Sequence, residues 1–279
     1  MREIIFIADF FSDQVLGGGE LNNDELINLL IKKNVNVKKI NSNLVDQQFI
    51  DENRDKFFII ANFCFLNLDC LNKIKESCSY VIYEHDHKYL KSRNPGIFDN
   101  FIAPPSELIN VNFYNKAKAV FVQSQLHKNI VYKNTNLKNL VNLSGNLWSE
   151  EVLNLIEEIS FLKKENFYAI MDSNIPHKNT IDSILYCKHK NLDFKLIKNP
   201  SYFTFLKQLG VNKKLVFFPK TPETLSRIVV ESRMMNMGVV TNNMVGATSE
   251  DWYTLKGKDL IDVMRKKRDS ITNEVMSFL

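Results

Sequence analysis

Short apolar runs recur along the first half of the chain, nearly unbroken at residues 4–10 and followed by further strand-like stretches at 35–40, 57–63, 80–83, 119–123 and 140–143. Runs this short and this uniformly apolar suit parallel strands covered on both faces. Between them the period changes. Residues 20–33 carry Leu26, Ile27, Leu29, Leu30 and Ile31 along one side of a helix, and residues 68–75 and 107–115 read as further helices. Strand and helix alternate, which predicts a doubly wound α/β domain.

Ser144-Gly145-Asn146 reads as a turn after the last of these strands. Ser149, backed by Glu150 and Glu151, then opens a helix through about residue 163, acidic at its start and basic at its end as the helix dipole favours. The domain boundary is expected there, giving domains 1–148 and 149–279. A second series follows, with strands at 167–171, 194–198, 214–218 and 238–241. Helices fall at 180–189, 202–209 and 223–235, and an amphipathic helix or helix pair runs from about residue 260. Two Rossmann-like halves in succession are the expected organisation.

Length agrees, since 279 residues exceed one ordinary core and fit two domains with a cleft between them. A hydrophobic share of 44% and a charged share of 24% exclude a disordered or collagen-like chain. The net charge of +4 is spread along the sequence, so electrostatics alone do not argue for nucleic acid. Met1-Arg2-Glu3 leads straight into the first strand without a leader-like apolar segment, and no apolar run reaches membrane-spanning length. Cys64, Cys70, Cys78 and Cys187 lack paired spacing and read as free thiols, so a cytoplasmic location is expected.

The densest chemical signal is Pro222-Glu223-Thr224-Leu225-Ser226-Arg227-Ile228-Val229-Val230-Glu231, followed by the strand Gly238-Val239-Val240-Thr241. Two carboxylates eight positions apart bracket the expected helix, Glu223 at its positive end and Glu231 about two turns inside. Such a pair can accept hydrogen bonds from the vicinal hydroxyls of a sugar and of a ribose. A surface charge at Glu231 and an N-terminal acid at Glu223 are the plainer alternative. The block resembles the E-x7-E motif of the retaining GT-B glycosyltransferases, in particular glycosyltransferase family four. Gly238 to Asn243, followed by Gly246-Ala247, is similar to that group's donor-side strand and loop. The family's glycines between the acids are replaced here by Thr224 and Ser226.

The resemblance implies an α/β fold of two Rossmann-like domains facing each other across a cleft. It also implies metal-free, retaining sugar transfer, with Glu223 on the donor sugar and Glu231 on the ribose. Glu231→Ala should then weaken nucleotide binding and leave folding intact. Asp172-Ser173-Asn174-Ile175-Pro176-His177-Lys178-Asn179 resembles the family's phosphate element, with Lys178 as the lysine. Asp172 or Ser173 stands where the family has an arginine, so either a second cation such as Lys220 or Arg227 substitutes or donor affinity is weak. Thr224, Leu225 and Ser226 would offer backbone to the donor. Gly17-Gly18-Gly19-Glu20 resembles the family's glycine-rich opening, with Gly18 and Gly19 against anionic groups at a helix N-terminus. It is not a dinucleotide fingerprint.

Tyr83-Glu84-His85-Asp86-His87 closes a strand at the edge where α/β ligands bind. His85 and Asp86 match the family's residues near the reacting sugar, and a solvated loop or a metal cluster remain alternatives. Ala117 to Ser124 is similar to another family strand, and Ser124 also suits a helix cap. No cofactor is expected beyond a nucleotide-sugar donor, UDP- or GDP-linked. The acceptor is expected to be a saccharide or a lipid-linked saccharide. Two other functions stay open: a catalytically degenerate sugar-nucleotide binder, and a transferase acting on nucleic acid bases. The latter would use a basic aromatic face such as Lys88, Tyr89, Lys91 and Arg93.

Overall fold

The computed structural model describes residues 3–279; Met1 and Arg2, where the reading of the N-terminus begins, lie outside the described residues. The chain forms two compact units, residues 3–147 with Lys267–Leu279, and Trp148–Lys266. In the first unit the strands are β1 (Glu3–Ala8), β2 (Asn36–Asn41), β3 (Phe57–Ile60), β4 (Ser79–Tyr83), β5 (Val120–Val122) and β6 (Leu140–Asn142). They form one sheet in the order β2-β1-β3-β4-β5-β6 with every pairing parallel. Both faces are covered. Ile5, Ile7, Phe58 and Ile60 enter one core, while Ile4, Phe6, Phe57 and Ile59 enter the other. Strands buried twice need apolar residues at successive positions, which explains the unbroken runs.

The helices of this unit are α1 (Gly18–Lys32), α2 (Gln47–Asn53), α3 (Leu68–Ser77), α4 (Val111–Lys116) and α5 (Gln125–Thr135). Periodicity does not reveal α2 or α5, and both are set by caps. Asp46 accepts from the Phe49 N–H at 2.7 Å, and Ser124 from the His127 N–H at 3.1 Å.

The second unit opens with α6 (Glu150–Ser160) and continues β7 (Glu165–Met171), α7 (Thr180–His189), β8 (Phe194–Ile197) and α8 (Tyr202–Gly210). It ends with β9 (Asn212–Phe217), α9 (Arg227–Met234), β10 (Gly238–Thr241) and α10 (Gly257–Met276). Its sheet is again wholly parallel, ordered β10-β9-β7-β8. The α/β class and the two Rossmann-like series agree with the sequence reading.

Residues 267–279 differ from the expected 149–279 domain, because they belong to the first unit. The cause is the length of α10 and the absence of a breaker within it. Leu260, Ile261 and Met264 fill the second core, whereas Ile271 and Val275 fill the first. Phe278 sets its ring edge-on to Phe121 at 5.5 Å, and Arg268 pairs with Glu25 at 2.9 Å. Among the described residues, no helix is long and apolar enough to cross a membrane.

Candidate functional site

In the second unit, the loops leaving β7, β9 and β10 emerge at one edge because the strands are parallel. Hydrogen bonds lace them together. Lys220 N–H donates to His177 O at 2.9 Å, Asn179 Nδ2 to Phe218 O at 2.8 Å, and Asn242 Nδ2 to Pro219 O at 2.9 Å. Glu223 bridges in parallel to Val245, its N–H donating to Met244 O at 2.7 Å and its carbonyl accepting from Gly246 N–H at 2.9 Å. Lys178 Nζ meets Glu223 Oε1 at 2.7 Å, with 26% and 15% of the two side chains exposed. Residues 45 positions apart are thereby joined as an accessible ion pair at the strand edge.

The helix expected over 223–235 starts only at Arg227. Residues 223–225 are instead pinned to the loop after β10, where Leu225 O accepts from Ala247 N–H at 2.9 Å. Leu225 is fully buried in the core, so only its backbone remains to meet a ligand. Thr224 is half-buried. Ser226 adopts φ 76°, ψ 90°, and this positive φ interrupts any helix running through it.

Glu231 is 2% exposed, not a surface charge. Its Oε1 accepts from Trp148 Nε1 at 2.9 Å and from the Tyr202 hydroxyl at 2.5 Å, and Arg227 Nε lies 3.4 Å away. Burial and the neighbouring Glu231 push the Tyr202 hydroxyl up, which keeps it a donor. The Arg227 guanidinium stacks over the Trp148 ring at 4.4 Å.

In the first unit, residues following β4 form a buried charged knot. Glu84 is fully buried and accepts from Tyr114 Oη and Lys88 Nζ; Asp86 accepts from Lys88 Nζ at 3.1 Å and from Arg93. Burial raises the Glu84 carboxyl, with Lys88 acting against it. Burial would also raise Asp86, but Lys88 and Arg93 outweigh it and hold that carboxyl well below the usual range. Lys88 and Tyr89 are therefore interior groups, and Lys91 and Arg93 alone of the four are exposed, so the stretch forms neither a wholly solvated loop nor the basic aromatic face that a nucleic-acid acceptor would use.

His85 is half-buried and held at both ring nitrogens. Nε2 meets Asn23 Oδ1 at 2.5 Å, and Gln123 Nε2 donates to Nδ1, so the proton sits on Nε2. Gly19 packs against this ring, where a Cβ would come within 3.5 Å. The Glu20 carboxylate folds back over Gly17 and would have to swing aside for a side chain there. Burial raises the Glu20 carboxyl, its own backbone N–H opposes this, and Asp9, Asp24 and Asp86 add to the rise. The α1 N-terminus beside Gly18 and Gly19 thus sits among carboxylates, surroundings that disfavour a second anion. No group of three or more His, Cys, Asp and Glu side chains among the described residues is arranged to hold a metal ion.

No protein-family model matches the chain, and no curated protein matches it in sequence. Its fold has solved counterparts. Anabaena HepE in complex with UDP and glucose aligns with a TM-score of 0.56 at 13% identity, over 97% of this chain and 90% of HepE. An alpha-glucosyltransferase in complex with UDP and a 13-mer DNA containing a central A:G mismatch gives 0.53 at 12% identity, over 100% and 92%. The fold is that of the GT-B glycosyltransferases. A glycosyltransferase from Rickettsia africae ESF-5 gives 0.50 at 13% identity, over 99% and 89%.

Within this GT-B chain, several residues that shape the site are silent in the sequence. Trp148 and Glu231 are 83 positions apart, and nothing local signals that they meet. Gln123 and Asn23, which orient His85, lie on other elements. Ser226 is the exception, since a resemblance that calls for glycine marks its backbone. Its buried hydroxyl also has no hydrogen-bond partner among the described residues. Relief of a left-handed residue is worth about 1–2 kcal/mol, against about 0.5–1 kcal/mol for glycine's added freedom in the unfolded chain. Ser226→Gly is therefore expected to stabilise the protein by about 1 kcal/mol once the unpaired hydroxyl is removed as well. A lower urea midpoint for the variant would contradict this.

Proposed function

We propose that the protein is a glycosyltransferase that moves a sugar from a nucleotide-sugar donor, UDP- or GDP-linked, to a hydroxyl acceptor. The observation that carries this reading is the Lys178–Glu223 pair, accessible and preformed at the strand edge of a fold shared with UDP-bound transferases. Each partner keeps the other compensated until the donor arrives. Lys178 then turns to the diphosphate and Glu223 to the sugar hydroxyls, while amides at the start of α9 face phosphate oxygens. Glu231 spends Oε1 inside the protein, which leaves Oε2 for the ribose.

The reaction proposed is retaining and metal-independent, as the family-four resemblance implies. The bond from the anomeric carbon to the diphosphate oxygen breaks, the acceptor oxygen bonds to that carbon from the same face, and its proton passes to the departing diphosphate. Lys178 and the α9 amides stabilise the charge that accumulates on the leaving group. His85, held by Asn23 and Gln123, and Asp86, held by Lys88 and Arg93, are proposed to orient the acceptor side.

A saccharide or lipid-linked saccharide is the proposed acceptor. DNA is a second reading, favoured by the alpha-glucosyltransferase whose complex contains DNA. Incubation with a radiolabelled sugar nucleotide, followed by separation of glycan, lipid and DNA fractions, tests both. Label in the glycan or lipid fraction supports the first reading, label in DNA the second, and label in none with intact donor favours a non-catalytic binder.

A further inference from the structure

Lys178 alone cannot balance a diphosphate, because even when it turns away from Glu223 its single ammonium meets a group that carries a negative charge on each phosphate. The loop after β7 supplies no further cation near its start, where Asp172 and Ser173 stand. Two other basic residues lie on the laced loops, Arg227 at the start of α9 and Lys220 just beyond β9. Their environments are opposite. Only 10% of the Arg227 side chain is exposed; its Nε is 3.4 Å from buried Glu231, its Nη2 donates to Tyr202 Oη at 3.3 Å, and its plane covers Trp148. Turning Arg227 outward would strand a buried carboxylate, the costly way to free a cation.

Lys220 has a fixed base and an exposed head. Its N–H is held by His177 O, adjacent to Lys178, and the preceding Pro219 O is held by Asn242. Prolines at 219 and 222 flank it and restrict the backbone further. The side chain is 61% exposed, and its one carboxylate neighbour among the described residues is Asp182, 3.9 Å away and itself 50% exposed. An exposed pair at that distance is worth little, so exchanging it for phosphate is cheap. We infer that Lys220 is the second cation of the donor site, contacting the diphosphate alongside Lys178, while Arg227 only positions Glu231. This inference rests on the nucleotide-sugar reading above.

The test is calorimetric titration of the full chain with uridine, UMP and UDP, with the guanosine series in parallel, for wild type, Lys220→Met, Lys220→Arg and Lys178→Met. Lys220→Met should weaken diphosphate binding about tenfold or more, leave nucleoside binding and the melting temperature unchanged, and regain part of the loss as Lys220→Arg. Diphosphate affinity equal to wild type in Lys220→Met would overturn the inference. So would an equal loss toward the nucleoside, which marks a structural effect. In either case tight diphosphate binding by the wild type leaves the donor reading standing. A wild type that binds neither diphosphate overturns the donor reading and this inference together.

Discussion

Glu231→Ala is expected to lower the stability of the protein by about 3–5 kcal/mol, the scale of removing one partner from a buried ion pair. The carboxylate accepts from Trp148 and Tyr202 and lies beside Arg227. Alanine would leave two donors and a largely buried guanidinium without their acceptor. This replaces the sequence-based expectation that folding survives and only nucleotide binding suffers, an expectation that treated Glu231 as accessible. Glu231→Gln keeps an acceptor for Trp148 and Tyr202, and should recover more than half of the loss. Urea denaturation of the three proteins gives the answer. An alanine variant within about 1 kcal/mol of wild type would show that the buried network is not what secures α9.

Lys178→Ala carries the largest expected effect on rate, a fall in turnover or donor hydrolysis of about 100-fold or more, the scale of losing one preorganised electrostatic donor. In the proposed reaction Lys178 already contacts the diphosphate in the ground-state complex, and that contact strengthens as the glycosidic bond breaks and charge gathers on the diphosphate. Rate should thus suffer more than binding. Lys178→Arg should restore little, because a planar fork presents its charge differently from a compact ammonium. Stability should change little, since the pair it forms with Glu223 is partly solvated. Lys188 and Lys190 are exposed on and just beyond α7 and serve as controls. Equal losses in their alanine variants would mean a general field effect and no specific phosphate contact.

The fold was legible where its physics is local. Doubly buried strands demand consecutive apolar residues, which makes β1, β3, β4 and β5 plain, whereas β2, with Lys38 and Lys39 exposed, shows itself only through Val37 and Ile40; α7 matches its expected bounds at Thr180–His189. Elements set by one side chain were harder: α2 and α5 depend on the Asp46 and Ser124 caps more than on an apolar stripe. The start of α9 was misjudged because loop pairing, Glu223 with Val245, overrode helix propensity at residues 223–226. At the site, Lys178 and Glu223 stood out by motif, and the structure brings them into contact. The accessibility of each charge was not legible. Glu231, Glu84 and Arg227 have sequence contexts like those of surface charges, and only long-range partners such as Trp148 and Tyr114 make them interior groups.

In the proposed donor site the loops after β7, β9 and β10 grip a nucleoside diphosphate. Calorimetric titration of the wild-type chain with UDP and GDP, beside Lys178→Ala and Glu223→Gln, addresses it most directly. Saturable binding of one of the two nucleotides is expected, weakened at least tenfold by Lys178→Ala. Glu223→Gln should bind the free diphosphate with near wild-type affinity but lose discrimination for its sugar-linked form. No heat of binding at millimolar UDP and GDP, or binding indifferent to Lys178, would contradict it.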